Sequence, residues 1–257
     1  MLRSLLTCLT ILGFYGAAYR MLVARWGGPA NWIAHRTHFD RTHPVRQVEA
    51  VSKLIAAGIA QLLFAIVLTF LTGQAPWHLL FTTQSLPLLP IGAIIGVGEL
   101  ALASMLGSTL MLSWSSLTTS HPTTRWLTES RGGWMAQFQA VVTEVPPWLA
   151  IVSITLYIAV EELIFRGILI SALRPYGATI AIGVALVLFV SIQAFHMPSL
   201  RGASMPIAGA TIVGTIHGLL FWMIPFLFPL IIAHLTFFSG TLLITEGKFA
   251  SEQRARW

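Results

Sequence analysis

The sequence predicts an all-α fold, a membrane bundle of about seven spanning helices within a range of six to eight, and three observations carry that prediction. Of the 257 residues 56% are hydrophobic and only 9% charged, with mean hydropathy +0.78. So few charges cannot cover the surface of a soluble domain. The apolar residues are gathered into runs near or above the ~20 that a helix needs to cross the hydrocarbon layer. Lysines and arginines fall mostly between those runs, as loops on one side of a membrane require. The formal charge of +6 therefore reports topology and does not imply a nucleic-acid partner. A single integral-membrane domain over 1–257 is the economical reading.

Taken in order, the apolar segments are roughly 4–24, 54–72, 87–112, 147–173, 177–196, 206–222 and 225–245. The first follows Met1-Leu2-Arg3 and has the charge and position of a signal peptide. It is long for one and lacks a small-x-small cleavage site before a polar start, so a retained helix is expected. It holds Cys8, the only cysteine, which excludes an intramolecular disulfide. The linker that follows carries Arg25, Arg36, Arg41, Arg46 and Lys53 with His35, His38 and His43 interspersed. Those histidines are irregularly spaced and have no cysteine or paired carboxylate beside them, so they read as solvated or headgroup-facing. The connection over 73–86 has no Lys or Arg, whereas Arg125, Arg131, Arg201, Lys248, Arg254 and Arg256 return to the side of the first linker. This alternation places the N-terminus outside and the C-terminus in the cytoplasm, with Arg174 as the exception. Gly133 to Glu144, ahead of Pro146-Pro147, reads as an amphipathic segment at the interface. Gly92 and Gly96, and Gly214 and Gly218, keep the small-xxx-small spacing that lets membrane helices approach closely.

Within the fourth segment stands Glu161-Glu162-Leu163-Ile164-Phe165-Arg166, three ionisable groups in an apolar run. Each ionised side chain at the centre of a membrane helix costs about 2.5–3.5 kcal/mol on insertion scales, so such groups pair, face a cavity and act. Glu162 stands four before Arg166, the favoured acid-first order for a helical ion pair. Glu161 is rotated by about 100° from it and is free to meet another helix. Glu99 is a further intramembrane acid, either functional or a buried acid bonded to a neighbouring helix, and the sequence offers it no partner. His196 closes the fifth segment, His217 lies in the sixth and His234 in the seventh. A carboxylate and two imidazoles converging inside a bundle can deprotonate a water, directly or through a metal such as zinc. His217 reads as a packing residue.

In their order, Glu-Glu-xxx-Arg, a histidine at a helix end and a histidine in the last span resemble the CAAX protease and bacteriocin-processing family of intramembrane endopeptidases, related to the type II CAAX prenyl proteases. The resemblance covers a catalytic core of about 148–240, and the hexad is its specific part. It implies cleavage of a peptide bond in or beside the membrane: Glu161 activates water, Glu162 and Arg166 support it, and His196 and His234 complete the site. Glu161, His196 and His234 also make a zinc set with an open position, and the same residues serve a metal-free mechanism, so metal dependence stays open. The implied partners are membrane lipids and a protein or peptide substrate, among them prenylated proteins, precursor peptides and sorting-signal proteins. The chain departs from the family pattern at Ile192, where Phe usually precedes the first histidine by four. It departs again at Phe238, where Asn or Asp usually follows the last histidine by four, leaving Thr236, Ser239 or Gln193 as substitute hydrogen-bonding groups. A non-catalytic partner or immunity-type factor is the alternative that Phe238 supports. A proton-coupled carrier using Glu99, Glu161 and the histidines is a third, and it lacks internal repeats.

Overall fold

In the computed structural model, residues 2–26, 28–29, 32, 36, 45–80, 82–118, 133–197 and 199–254 are described, and among them the regular elements are all helical. Helix α1 (Leu2–Gly13) runs through the π-helical stretch Phe14–Tyr19 into α2 (Arg20–Arg25). There follow α3 (Val45–Thr72), α4 (Leu89–Thr118), α5 (Gly133–Glu144) and α6 (Pro147–Glu162). A second π-helical stretch, Leu163–Ile170, continues α6, and α7 (Ala178–Phe195), α8 (Leu200–Met223) and α9 (Phe228–Arg254) complete the chain. Among the described residues six stretches are long and apolar enough to cross a membrane: Leu2–Leu22, Ser52–Thr72, Thr83–Trp114, Pro147–Tyr176, Ala178–Phe195 and Leu200–Met223; Phe228–Leu243 is a shorter apolar helix. The chain is thus an integral, multi-pass helical membrane protein. His35, His38, His43, Arg41, Arg125 and Arg131 lie outside the described residues.

The distribution of side chains follows from having lipid as solvent. Phe70 is 82% and Ile94 72% exposed, because apolar residues cost nothing on a surface that faces hydrocarbon. Gln61, Glu99, Glu161, Glu162, Arg166, His217 and His234 are buried instead. At the centre, all eight residues of Leu163–Ile170 are buried, with α3, α7, α8 and the 3-10 turn Pro76–Leu79 packed around them. The hexad helix is therefore the axis of the bundle. Pro147 sits in the first turn of α6, where a missing N–H is harmless. At the other end Arg174-Pro175-Tyr176 and Gly177, at φ +89°, terminate the run, and Arg174 donates to the Trp222 carbonyl at 3.2 Å. Helix α5 buries Met135, Phe138 and Val141, three residues apart on one face, and packs on α3 and α6.

Close approach of α4 to α9 depends on glycine. A Cβ on Gly92 would run into the Pro229 carbonyl, and one on Gly96 into the carbonyl of Ala233, next to His234. Gly98 faces open space. Gly96→Ala is therefore expected to lower the melting temperature in detergent and to displace His234. Gly98→Ala should leave stability unchanged or raise it slightly, because alanine is the better helix former by about 1 kcal/mol. Equal melting temperatures for the two variants would refute a close helix crossing there.

Candidate functional site

The site begins with two adjacent acids at the end of α6, whose side chains leave the helix in different directions. Glu162 turns toward α8 and α9. Its Oε1 accepts from Nδ1 of His217 at 3.0 Å and from Nδ1 of His234 at 2.7 Å. Its Oε2 lies 3.4 Å from Arg166 Nε, a charge contact rather than a hydrogen bond. The expected i,i+4 pair is thus formed, although the hexad enters wider π-helical turns at Leu163. Arg166 donates from Nη2 to the Val213 carbonyl at 3.3 Å and lays its guanidinium 4.5 Å over the Phe189 ring. All these side chains are buried.

His217 also reaches outward. Its Nε2 stands 3.1 Å from Oε1 of Glu99, at ion-pair distance but outside hydrogen-bond geometry. Glu99 therefore has the neighbour that the sequence did not reveal, and His217 is a bridge between two carboxylates rather than a packing residue. Glu99, His217, Glu162 and Arg166 thus form one buried chain of ionisable groups, the company that such side chains keep in a membrane interior.

Glu161 faces the opposite wall. Gln193 of α7 lies within side-chain hydrogen-bonding reach of it, and Tyr15, Tyr19 and Tyr157 stand within electrostatic range of its carboxylate. The hydroxyls of Tyr19 and Tyr157 bond each other at 3.1 Å. His196, just beyond α7, joins this wall: its ring stands edge-on to Tyr19 at 5.0 Å. Nδ1 and Nε2 of His196 lie 2.8 and 3.0 Å from the carbonyls of Ile192 and Tyr15. Burial pushes its pKa below the usual imidazole value, and a neutral ring donates to one of those carbonyls. Gly133, at φ +59°, supports the turn, since a Cβ there would strike the His196 carbonyl.

The predicted site residues are thus distributed over two faces of one helix. Glu162, Arg166 and His234 are in mutual contact through Glu162, whereas Glu161 and His196 adjoin the same tyrosine wall. Among the described residues the ligand atoms that gather within 4.8 Å are those of Glu162, His217 and His234, not those of Glu161, His196 and His234. His196 differs because both its nitrogens are turned to backbone carbonyls. Two imidazole nitrogens and a carboxylate oxygen, with Glu99 behind the outer nitrogen of His217, are donors suited to a divalent cation. Phe238 is buried edge-to-face on Phe138 with ring centroids 4.8 Å apart. Of its three candidate substitutes, Thr236 donates within its own helix to the Ile232 carbonyl at 2.8 Å, Ser239 is exposed, and Gln193 is beside Glu161. Tyr15 and Tyr19 were not singled out from sequence. Their i,i+4 spacing on a spanning helix was the available signal.

Residues 143–238 match the family model described as type II CAAX prenyl endopeptidase, Rce1-like. The match takes in the hexad and His196, His217 and His234. No curated protein and no solved structure matches the chain.

Proposed function

We propose, on the premise that residues 143–238 of this chain belong to the Rce1-like type II CAAX prenyl endopeptidases, that the protein is an intramembrane endopeptidase acting on a membrane-associated protein or peptide. One observation carries the reading: the two central glutamates have unequal company. Glu162 holds Arg166, His217 and His234, while Glu161 faces an amide and hydroxyl-bearing rings. A carboxylate already committed to a cation and two imidazoles is a poor proton acceptor. The other is the general base.

In this mechanism a water held at Glu161 loses a proton to the carboxylate as its oxygen attacks the scissile carbonyl. Gln193 orients that carboxylate, and His196, its nitrogens turned to the Ile192 and Tyr15 carbonyls, positions the first span against α7 at the end of the tyrosine wall. Glu162 and Arg166 fix the helix, and His234 braces Glu162 from α9 on its other face. A family core over about 148–240 within one membrane domain, an external N-terminus and a cytoplasmic C-terminus complete the proposal.

Glu162, His217 and His234 would be the residues to hold a divalent cation. Zinc there would supply Lewis-acid polarisation of a carbonyl or water. The two imidazoles also share Oε1 of Glu162 as their hydrogen-bond partner, which holds the three side chains together without an ion. Cleavage by protein stripped with a zinc chelator is accordingly expected to stay within about twofold of the untreated rate, far less than loss of a catalytic group costs. A loss that added zinc restores would instead assign the ion to this triad.

A second reading, a non-catalytic membrane partner of the same fold, is favoured by Phe238, whose ring fills a buried aromatic contact and brings no polar group. Comparing wild type with Glu161→Gln separates the two, because a binding role survives the change and peptide hydrolysis does not.

A further inference from the structure

On the tyrosine wall that Glu161 faces, and on α3 next to it, lie polar groups that the bundle buries and does not satisfy. The Tyr15 hydroxyl on the π-helical stretch of the first span has no hydrogen-bond partner, nor has either atom of the Gln61 amide on α3. Tyr15 is 1% and Gln61 0% exposed. Gln61 faces the Tyr15 hydroxyl, close enough to interact with it, yet neither side chain completes a hydrogen bond in the resting protein. Tyr19 and Tyr157, on the same wall, satisfy each other. Buried polar groups without partners are destabilising and rare, and they need an explanation such as a ligand or a catalytic role. Tyr15 lies within electrostatic range of the Glu161 carboxylate, its ring centroid 6.1 Å from that of Phe165 one turn further along the central helix, on a span whose π-helical turns also carry Tyr19. Wider turns of that kind recur at functional sites. An unpartnered O–H near a general base, with an unpartnered N–H donor next to it, is the equipment that a carbonyl oxygen requires as it becomes an oxyanion.

We propose that Tyr15 and Gln61 bind the scissile carbonyl oxygen of the substrate and stabilise the oxyanion opposite Glu161. This inference rests on the endopeptidase reading. As water oxygen bonds to the carbonyl carbon, its proton passes to the Glu161 carboxylate, and the C=O electron pair moves onto the oxygen held by Tyr15 O–H and Gln61 N–H. Collapse of the tetrahedral intermediate restores C=O and breaks the C–N bond. The leaving nitrogen then takes the proton from Glu161, which regenerates the carboxylate. Both donors return to an unpartnered state when the product leaves.

The test uses the purified full chain in lipid vesicles with an internally quenched, farnesylated CAAX-type peptide as probe, together with melting temperatures in detergent. Tyr15→Phe and Gln61→Leu each remove an unsatisfied polar group while nearly keeping shape. Each is expected to lower kcat about 10²- to 10³-fold, with KM within about twofold of wild type. Melting temperature should stay level or rise, since replacing an unsatisfied buried polar group by an apolar one of similar shape is neutral or stabilising. A structural role would move it the other way. Unchanged kcat in both variants, with Glu161→Gln inactive, overturns this assignment and leaves the endopeptidase reading standing. A melting temperature that falls together with activity also overturns it, by showing that the two side chains are structural. No cleavage of the peptide by wild type, or equal cleavage by Glu161→Gln, overturns the endopeptidase reading and this inference with it.

Discussion

Glu161→Gln is expected to lower peptide cleavage by about 10²- to 10⁴-fold, the range that a positioned general base contributes, while the protein accumulates in the membrane and melts as wild type does. The substitution keeps the shape of the side chain and its capacity to bond Gln193, and removes only the ability to accept a proton from water. Glu161 is also the acid whose replacement should cost least in folding. Its neighbour Glu162 is tied to Arg166, His217 and His234, and changing it would disturb three helices at once. The measurement is kcat on a membrane-borne peptide, with melting temperature as the control for folding. Retained cleavage would remove Glu161 from the chemistry.

Arg166→Met is expected to be the most destabilising single change in the central helix, by about 3–5 kcal/mol, the usual result of breaking a buried ion pair from one side. The loss has several parts. Glu162 would keep its histidines but lose its cation, the Val213 carbonyl would lose its donor, and the face of Phe189 its guanidinium. Adding Glu162→Gln to Arg166→Met should recover part of the stability, because the uncompensated charge disappears, and the difference between single and double variants reads that coupling. A melting temperature for Arg166→Met equal to wild type would show that the guanidinium does not neutralise Glu162.

Much of the architecture was open to reading in the chain. Helical segments are legible in a membrane protein because hydrogen-bonding the backbone in lipid leaves few options, and apolar length alone then marks each span. The Glu162–Arg166 pair was legible because a helix places residues four apart on one face, and Gly92 and Gly96 because close helix contact needs small residues. His217 was not. A histidine amid apolar residues has the same local sequence whether it packs or bridges two acids, and its partners Glu99 and Glu162 are 118 and 55 positions away in the chain. The same limit hid Tyr15 and Gln61, since an unsatisfied donor is a property of the surrounding space.

By itself the sequence determined a multi-pass α-helical membrane protein, the hexad as its centre, the polarity of the Glu162–Arg166 pair and the histidines available to the site. Tertiary structure alone decided the division of labour: His217 and His234 go to Glu162, and His196 goes to the tyrosine wall near Glu161. The physical reason is range. Periodicity and composition report on the few residues within reach of one helical turn, whereas the company of a buried carboxylate is set by which helices cross at its depth and how they are rotated. Glu161 and Glu162 are adjacent in the chain and indistinguishable by composition. They differ because one meets α8 and α9 and the other meets the first span and α7.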